Sequence, residues 1–317
     1  MSPQAALHSE IFRAYFLILA GVLVVAGLVL SVLRWGLKKD IASIWATYQG
    51  WLVMVPLAVG FLLAGRIPTI VFFCVVAVFG FKEYARATGL YRDWWMTAVV
   101  YLGITAVGIT SLMRHPQGEE PGEGWYGLFI VLPMYAVALI FFVPIARNLV
   151  AGQLQRVALT IVGFIYIGWM FGHLAFLTNA THAYGYLLYI LFATEINDVA
   201  AFTFGKLFGK HPLRSNISPK KTWEGALGAL AVSMILPWVL HFSFPHFGPT
   251  QLILTGLIVG VGGQLGDLSI SVVKRDVGIK DMGATIPGHG GILDRIDSLI
   301  YVAPLFFHMT GYFYGLR

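Results

Sequence analysis

Apolar runs dominate this chain, and ten can be drawn. They lie at about 11–33, 50–65, 68–81, 95–113, 125–146, 157–178, 184–205, 224–244, 251–270 and 298–316. Each is near the roughly 20 residues that an α-helix needs to cross a bilayer core. Hydrocarbon offers no partner to a bare peptide group, so runs of this kind read as helices that satisfy their own backbone. The pattern predicts an all-α polytopic membrane protein of about nine to ten transmembrane helices. The range comes from the second and third runs, which are short and nearly abut at Arg66 and Pro68. They form either a tight hairpin or a re-entrant pair. The first run is too long for a signal-peptide core and is followed directly by Arg34 and Trp35, so it reads as a retained span.

Cations between the runs alternate. Lys38 and Lys39, then Lys82, Arg86 and Arg92, then Arg147 and Arg156, then Lys206 to Lys221, then Ser271 to Asp297 all fall on one side if ten spans alternate. The other loops are poor in Lys and Arg, with Glu119, Glu120 and Glu123 in one of them and Arg66 the single dissenter. The positive-inside rule then places the charged loops in the cytoplasm and both termini outside, in a multi-pass protein of the inner (plasma) membrane. Residues 34–50 mix cations with Trp35 and Trp45, and read either as an amphipathic helix lying in the interface or as a short loop.

Composition sharpens this picture in three ways. Hydrophobic residues make up 58% of 317, which no soluble domain of that size requires. The net charge of +6 would suggest nucleic acid in a soluble protein, but here loop bias and anionic headgroups explain it, and no nucleic-acid partner is expected. The single cysteine, Cys74, excludes an intrachain disulfide and a Cys-based metal site.

The intramembrane polar positions that need a reason all lie in the C-terminal half. This divides the chain into N-terminal transmembrane helices, 1–180, and a C-terminal catalytic region, 181–317, within one membrane unit. Glu195, Asn197 and Asp198 interrupt the seventh run, and Gln264 and Asp267 the ninth. A charge at mid-bilayer costs on the order of 2.5–3.5 kcal/mol even on the lenient insertion scale, so such residues usually mark a polar cavity. Asp267, Ser271, Lys274 and Arg275 recur at helical spacing on one face, and Asp294 and Asp297 share another. Between them Gly283, Gly290 and Gly291 allow backbone to approach a ligand. His289 can be a phosphate donor, a proton shuttle or a turn residue. In residues 205–225, Lys220 and Lys221 precede Thr222, a candidate N-cap whose helix would favour an anion. Carboxylates interleaved with cations around a Gly-rich turn suit a metal-bound polyphosphate.

Residues 271–297 resemble the signature of the phosphatidate cytidylyltransferases. It reads Ser-x-apolar-Lys-Arg, four residues, Lys-Asp-x-Gly, two residues, apolar-Pro-x-His-Gly-Gly, then apolar-x-Asp-Arg-apolar-Asp. Every defined position is met, from Ser271, Lys274 and Arg275 to Asp294, Arg295 and Asp297. Asn197-Asp198 and the run Ser218 to Gly225 are similar to a second region of that family, while 1–180 match only in being apolar. The resemblance implies condensation of CTP with phosphatidate to CDP-diacylglycerol and pyrophosphate, with Mg²⁺ as cofactor and the site at the cytoplasmic membrane edge. It implies Asp267, Asp294 and Asp297 as metal ligands, with Asp281 in reserve. Lys274, Arg275 and Lys280 would hold the triphosphate, Lys220 and Lys221 would help at either substrate, and Ser271, His289, Gly290, Gly291 and Arg295 would complete the binding site. Asp267, Lys274, Arg275, Asp281 and Asp294 are the expected catalytic set. A second cation and a homodimer stay open, as do an isoprenoid lipid acceptor, a CTP-dependent lipid kinase and, more remotely, an anion transporter.

Overall fold

The computed structural model describes residues 1–113, 124–286 and 290–315. All ten apolar runs are helical. They are α1 (Glu10–Gly36), α2 (Ala42–Ala64), α3 (Arg66–Ala87), α4 (Trp94–Leu112), α5 (Tyr126–Ala146), α6 (Gln153–Leu177), α7 (Ala183–Phe208), α8 (Trp223–Val239), α9 (Pro249–Asp276) and α10 (Leu293–Tyr314). Among the described residues eight of these are long and apolar enough to cross a membrane. The other two are α8, with 17 residues, and α10, whose first turns carry Asp294, Arg295 and Asp297. One small hairpin departs from the all-α expectation. Strand β1 (Pro212–Arg214) pairs antiparallel with β2 (Ser218–Thr222) between α7 and α8.

One reading of the second span is corrected, and between the two alternatives for runs two and three the tight hairpin is the one formed. Residues 42–50 are not a separate interfacial helix or loop but the first turns of α2, which runs to 23 residues. Trp45 stays near the interface-like cluster of the notional amphipath, edge-on to Trp35 at 5.2 Å with the Arg34 guanidinium over both rings. The re-entrant alternative for runs two and three gives way to two full-length helices meeting at Gly65. Its φ of +103° makes the reversal in a single residue, a conformation L side chains resist.

Contacts between loops sort the helix ends into two sets, as alternation requires. At one end Asp93, before α4, pairs with Arg147 and Arg156 around the α5–α6 turn at 2.8 and 2.7 Å. At the same end Arg275 reaches the hairpin, and Glu83 at the end of α3 reaches the segment before α10. At the other end Arg66 donates to Asn179, before α7, at 2.6 Å and to the carbonyls of Ser111 and Leu112 that end α4. A cation on a helix C-terminus satisfies orphan carbonyls and complements the dipole, which explains why Arg66 stands outside the positive set. Both termini join this second end, through Tyr184 to Ser2 and Tyr314 to His246. The acidic loop residues Glu119, Glu120 and Glu123 lie outside the described residues.

In lipid, helix association depends on close packing rather than on escape from water. Small residues provide it here. A Cβ on Gly225 of α8 would sit 2.6 Å from the Ala201 carbonyl and 3.2 Å from the Gly205 Cα of α7. A Cβ on Gly266 of α9 would meet Ser298 Cα of α10 at 2.8 Å. A buried cluster including Phe81, Tyr84, Ile104, Phe164 and Leu293 holds α3, α4, α6 and α10 together. By contrast α1 shows most of its length to lipid and is anchored mainly near its start, where Tyr15 bonds Ser243 at 2.8 Å and Phe12 meets Tyr184 edge-on.

Candidate active site

The charged ends of α7, α9 and α10 and the hairpin strand β2 enclose a cavity of about 530 Å³. Its walls carry six carboxylates, Glu195, Asp198, Asp267, Asp281, Asp294 and Asp297, and five cations, Lys206, Lys220, Lys221, Lys274 and Arg295. The backbone explains why they converge. Thr222 ends the hairpin and caps α8 by accepting the Gly225 amide at 3.1 Å, which sets Lys221 against Asp267 of α9 and leaves Lys220 on the cavity wall. A π-helical turn at Ile258–Gly262 precedes the polar stretch of α9, and such turns commonly reset a helical face near a site. The glycine contact at Gly266 then brings α9 against α10 one residue from Asp267 and Asp297.

Pairing inside the cavity is specific. Lys221 Nζ donates to Asp267 Oδ2 at 2.6 Å, while Ser271 Oγ donates to Asp267 Oδ1 at 3.2 Å. Lys274 Nζ donates to Asp294 Oδ1 at 2.8 Å. Asp294 Oδ2 accepts the Met282 and Gly291 amides at 2.9 and 3.0 Å, so this carboxylate gathers both sides of the Gly-rich loop. Asp297 Oδ1 accepts the Ser298 amide, and Ser298 Oγ approaches both oxygens of Asp198 at 3.4 and 3.5 Å.

What is left unmatched tells more. Asp198, Asp267 and Asp297 repel one another across the cavity. On the donor side, Arg295 Nε and Gln264 Nε2 are buried and have no hydrogen-bond partner among the described residues. Buried polar atoms rarely stay unmet in a native structure, so each asks for a partner. Orphan donors beside mutually repelling carboxylates are the complement of an anion and a cation together. Oxygen-only ligands suit a hard divalent ion.

Most predicted site residues meet here. Asp267, Lys274, Asp281, Asp294, Asp297, Arg295, Lys220 and Lys221 line the cavity, with Ser271 directly behind Asp267 and Gly291 behind Asp294. Gly290 joins the loop through a bridge to Ile286. The structure does not bring in two of them. Arg275 turns away to donate to the carbonyls of Ile217 and Ile279 at 3.2 and 3.3 Å, clasping the hairpin to the loop, and Lys280 is exposed beyond the lining. His289 lies outside the described residues. Sequence reasoning read Glu195 as a structural partner to the loop cations and favoured a functional role for Asp198 without naming it; both are wall residues attracted by Arg295. It missed Glu83, which sits just past the third run between Lys82 and Arg86. Its only signal there was one carboxylate in a cationic stretch.

Comparison with known proteins identifies the family. A model of the cytidylyltransferase family matches residues 45–313, which leaves α1 outside the matched stretch. An uncharacterized protein of Escherichia coli K12, YnbB, is 30% identical over 250 residues, covering 77% of this chain and 79% of its own length. A phosphatidate cytidylyltransferase of Staphylococcus aureus strain COL is 34% identical over 250 residues, covering 77% of this chain and 90% of its own. Another of that name from Staphylococcus haemolyticus is 39% identical over 169 residues, covering 53% and 63%. A multi-pass helical body, a cavity of opposed charges at its helix ends and a match across nearly all of nine helices lead to one conclusion: the chain belongs to the cytidylyltransferase family, as a membrane-embedded nucleotidyltransferase.

Proposed function

We propose that this enzyme transfers the cytidylyl group of CTP to the phosphate of phosphatidate, forming CDP-diacylglycerol and pyrophosphate at the cytoplasmic edge of the inner membrane. The observation that carries this reading is the pairing of orphan donors with repelling carboxylates in one cavity at the helix ends. There a soluble triphosphate can meet a headgroup whose tails remain in lipid. An oxygen of the lipid phosphate attacks the α-phosphorus of CTP, and the bond from that phosphorus to the bridging oxygen of the β-phosphate breaks. The electron pair leaves with pyrophosphate. The attacking phosphate is already ionised at neutral pH, so no strong general base is needed. The protein's task is to hold two anions together and to neutralise charge growing on the leaving group.

Asp267 and Asp297, with Asp294 and Asp198 beside them, would hold Mg²⁺, which when bound would supply positive charge to the triphosphate oxygens. Among the described residues no three acidic or histidine side chains already stand at ligating distances. Lys221 and Lys274 occupy carboxylate oxygens that a cation would take, and releasing them would free both ammonium groups for phosphate. Arg295 and Gln264 supply further donors. The test is cytidylyl transfer by detergent-purified protein given labelled CTP, phosphatidate and Mg²⁺, with Asp294→Asn alongside. Wild type is expected to form CDP-diacylglycerol and the variant to lose at least about 10²-fold in rate while still folded, the scale of removing one electrostatic stabiliser. Wild type that binds CTP but gives no product with phosphatidate would refute the acceptor.

A further inference from the structure

Glu83 stands outside the signature, on a helix of the N-terminal half, yet it is the group that the signature loop is tied to. The residue is only 8% exposed. Oε1 accepts the Thr285 hydroxyl at 2.5 Å and the Ile292 amide at 3.0 Å, and Oε2 accepts the Leu293 amide at 2.9 Å. Leu293 opens α10, whose own preceding residue Ile292 provides no side-chain cap. Glu83 therefore caps α10 from another helix, satisfying orphan amides with the charge sign that a helix N-terminus favours. Space has been cleared for it. A Cβ on Gly283 would lie 2.6 Å from Glu83 Oε1, and one on Gly291 would collide with Oε2, so two glycines of the loop are shaped to this carboxylate.

The neighbouring amides go elsewhere. Met282 and Gly291 donate to Asp294, one residue into α10. The loop is thus wound between two carboxylates, one fixed to the scaffold by α3 and one facing the cavity. Gly291 serves both, donating its amide to Asp294 while packing on Glu83. We infer that Glu83 is a positioning residue: by holding Thr285, Ile292 and Leu293 it sets the first turn of α10, and through it the place of Asp294 against Lys274. The inference deepens the proposed reaction and rests on it for its kinetic arm.

Glu83→Gln keeps the volume but turns an NH₂ group toward a backbone N–H, so one of the two oxygens is lost as an acceptor. The experiment compares Glu83→Gln, Glu83→Asp, Thr285→Val and the double variant Glu83→Gln/Thr285→Val. It measures kcat and KM for CTP in the transfer assay, hydrogen–deuterium exchange of the peptides spanning 277–293, and Tm. For Glu83→Gln the expected result is a kcat lower by about 10- to 100-fold, the scale of a misplaced catalytic group, with KM for CTP within about threefold. Exchange should rise in 277–293 alone, and Tm should stay within a few degrees. Thr285→Val should have a smaller effect that does not add to that of Glu83→Gln, because the two share one contact. Glu83→Asp should fall between wild type and Glu83→Gln. Wild-type kcat with unchanged exchange would overturn the inference, and so would general loss of protection with a collapsed Tm, which is plain destabilisation. If wild type gave no transfer to phosphatidate, the reaction would be at fault. The exchange data would still decide whether Glu83 holds the loop.

Discussion

Two charged clusters occupy the same end of this molecule, and they differ in completeness. At Asp93 every strong group is answered. The carboxylate takes Arg147 on one oxygen and Arg156 on the other, and its Oδ1 also accepts the Met96 amide to cap α4. Burial by itself would raise this carboxyl, but Arg156, the amide and Arg147 together hold it below its ordinary range. In the cavity the same residue types leave Asp198, Asp267 and Asp297 facing one another and leave Arg295 Nε and Gln264 Nε2 without partners. A closed cluster is a joint between loops. An open one stores unmet interactions for a ligand, and proteins keep such arrangements at a cost in stability.

The comparison breaks most decisively at Asp297. Asp297→Asn should lower transfer by about 10²- to 10⁴-fold, the range for losing a transition-state electrostatic group or cation ligand. Its Tm should hold or rise, because a buried carboxyl crowded by Asp198 and Asp267 gives way to a neutral amide of the same shape. A Tm drop as large as that of the joint would show that the cavity charges are structural. Asp93→Asn should give the opposite result. Transfer should stay within about threefold while stability falls by about 1–3 kcal/mol in denaturant unfolding, a range discounted because both arginines are partly exposed. Since the folded Asp93 pKa is depressed, its stabilisation is present above the unfolded carboxylate value of about 3.9 and is lost as pH falls through the lower folded one.

The smallest effect belongs to the opposite end. His246, in the α8–α9 connection, stacks on His182 at 3.9 Å and shares a hydrogen bond with the Tyr186 hydroxyl at 2.7 Å. Burial first, then the nearby His182 and His241, lower its pKa from 6.5 to about 4. The unfolded chain therefore takes up a proton that the folded one refuses. Tm should fall by a few degrees between about pH 6.5 and pH 4, and His246→Phe should flatten that slope. An unchanged pH dependence in the variant would remove His246 from the account.

Hydropathy made the helices legible because the bilayer acts on each run separately, and all ten runs became helices. Boundaries failed where polarity misled. The cations of Lys38 and Lys39 drew the second span's start past residue 42, and the turn at His241–Ser243 ended α8 earlier than its apolar run. Asp267, Lys274, Asp294 and Asp297 were readable because motif spacing is local. Arg275 was placed on the correct helix, but the direction of its side chain depends on carbonyls of Ile217 and Ile279 that no spacing rule encodes. Glu83 was invisible because its partners lie some 200 positions away, and a contact across that distance leaves no periodic trace.

Gly266 has one further consequence. The helices bearing Asp267 and Asp297 touch there with no side chain between them, so a single hydrogen atom sets the gap between the two walls of the cavity. That residue works as a spacer gauge. Any substitution would thicken it by at least a methyl group and push the two carboxylates apart by a comparable distance.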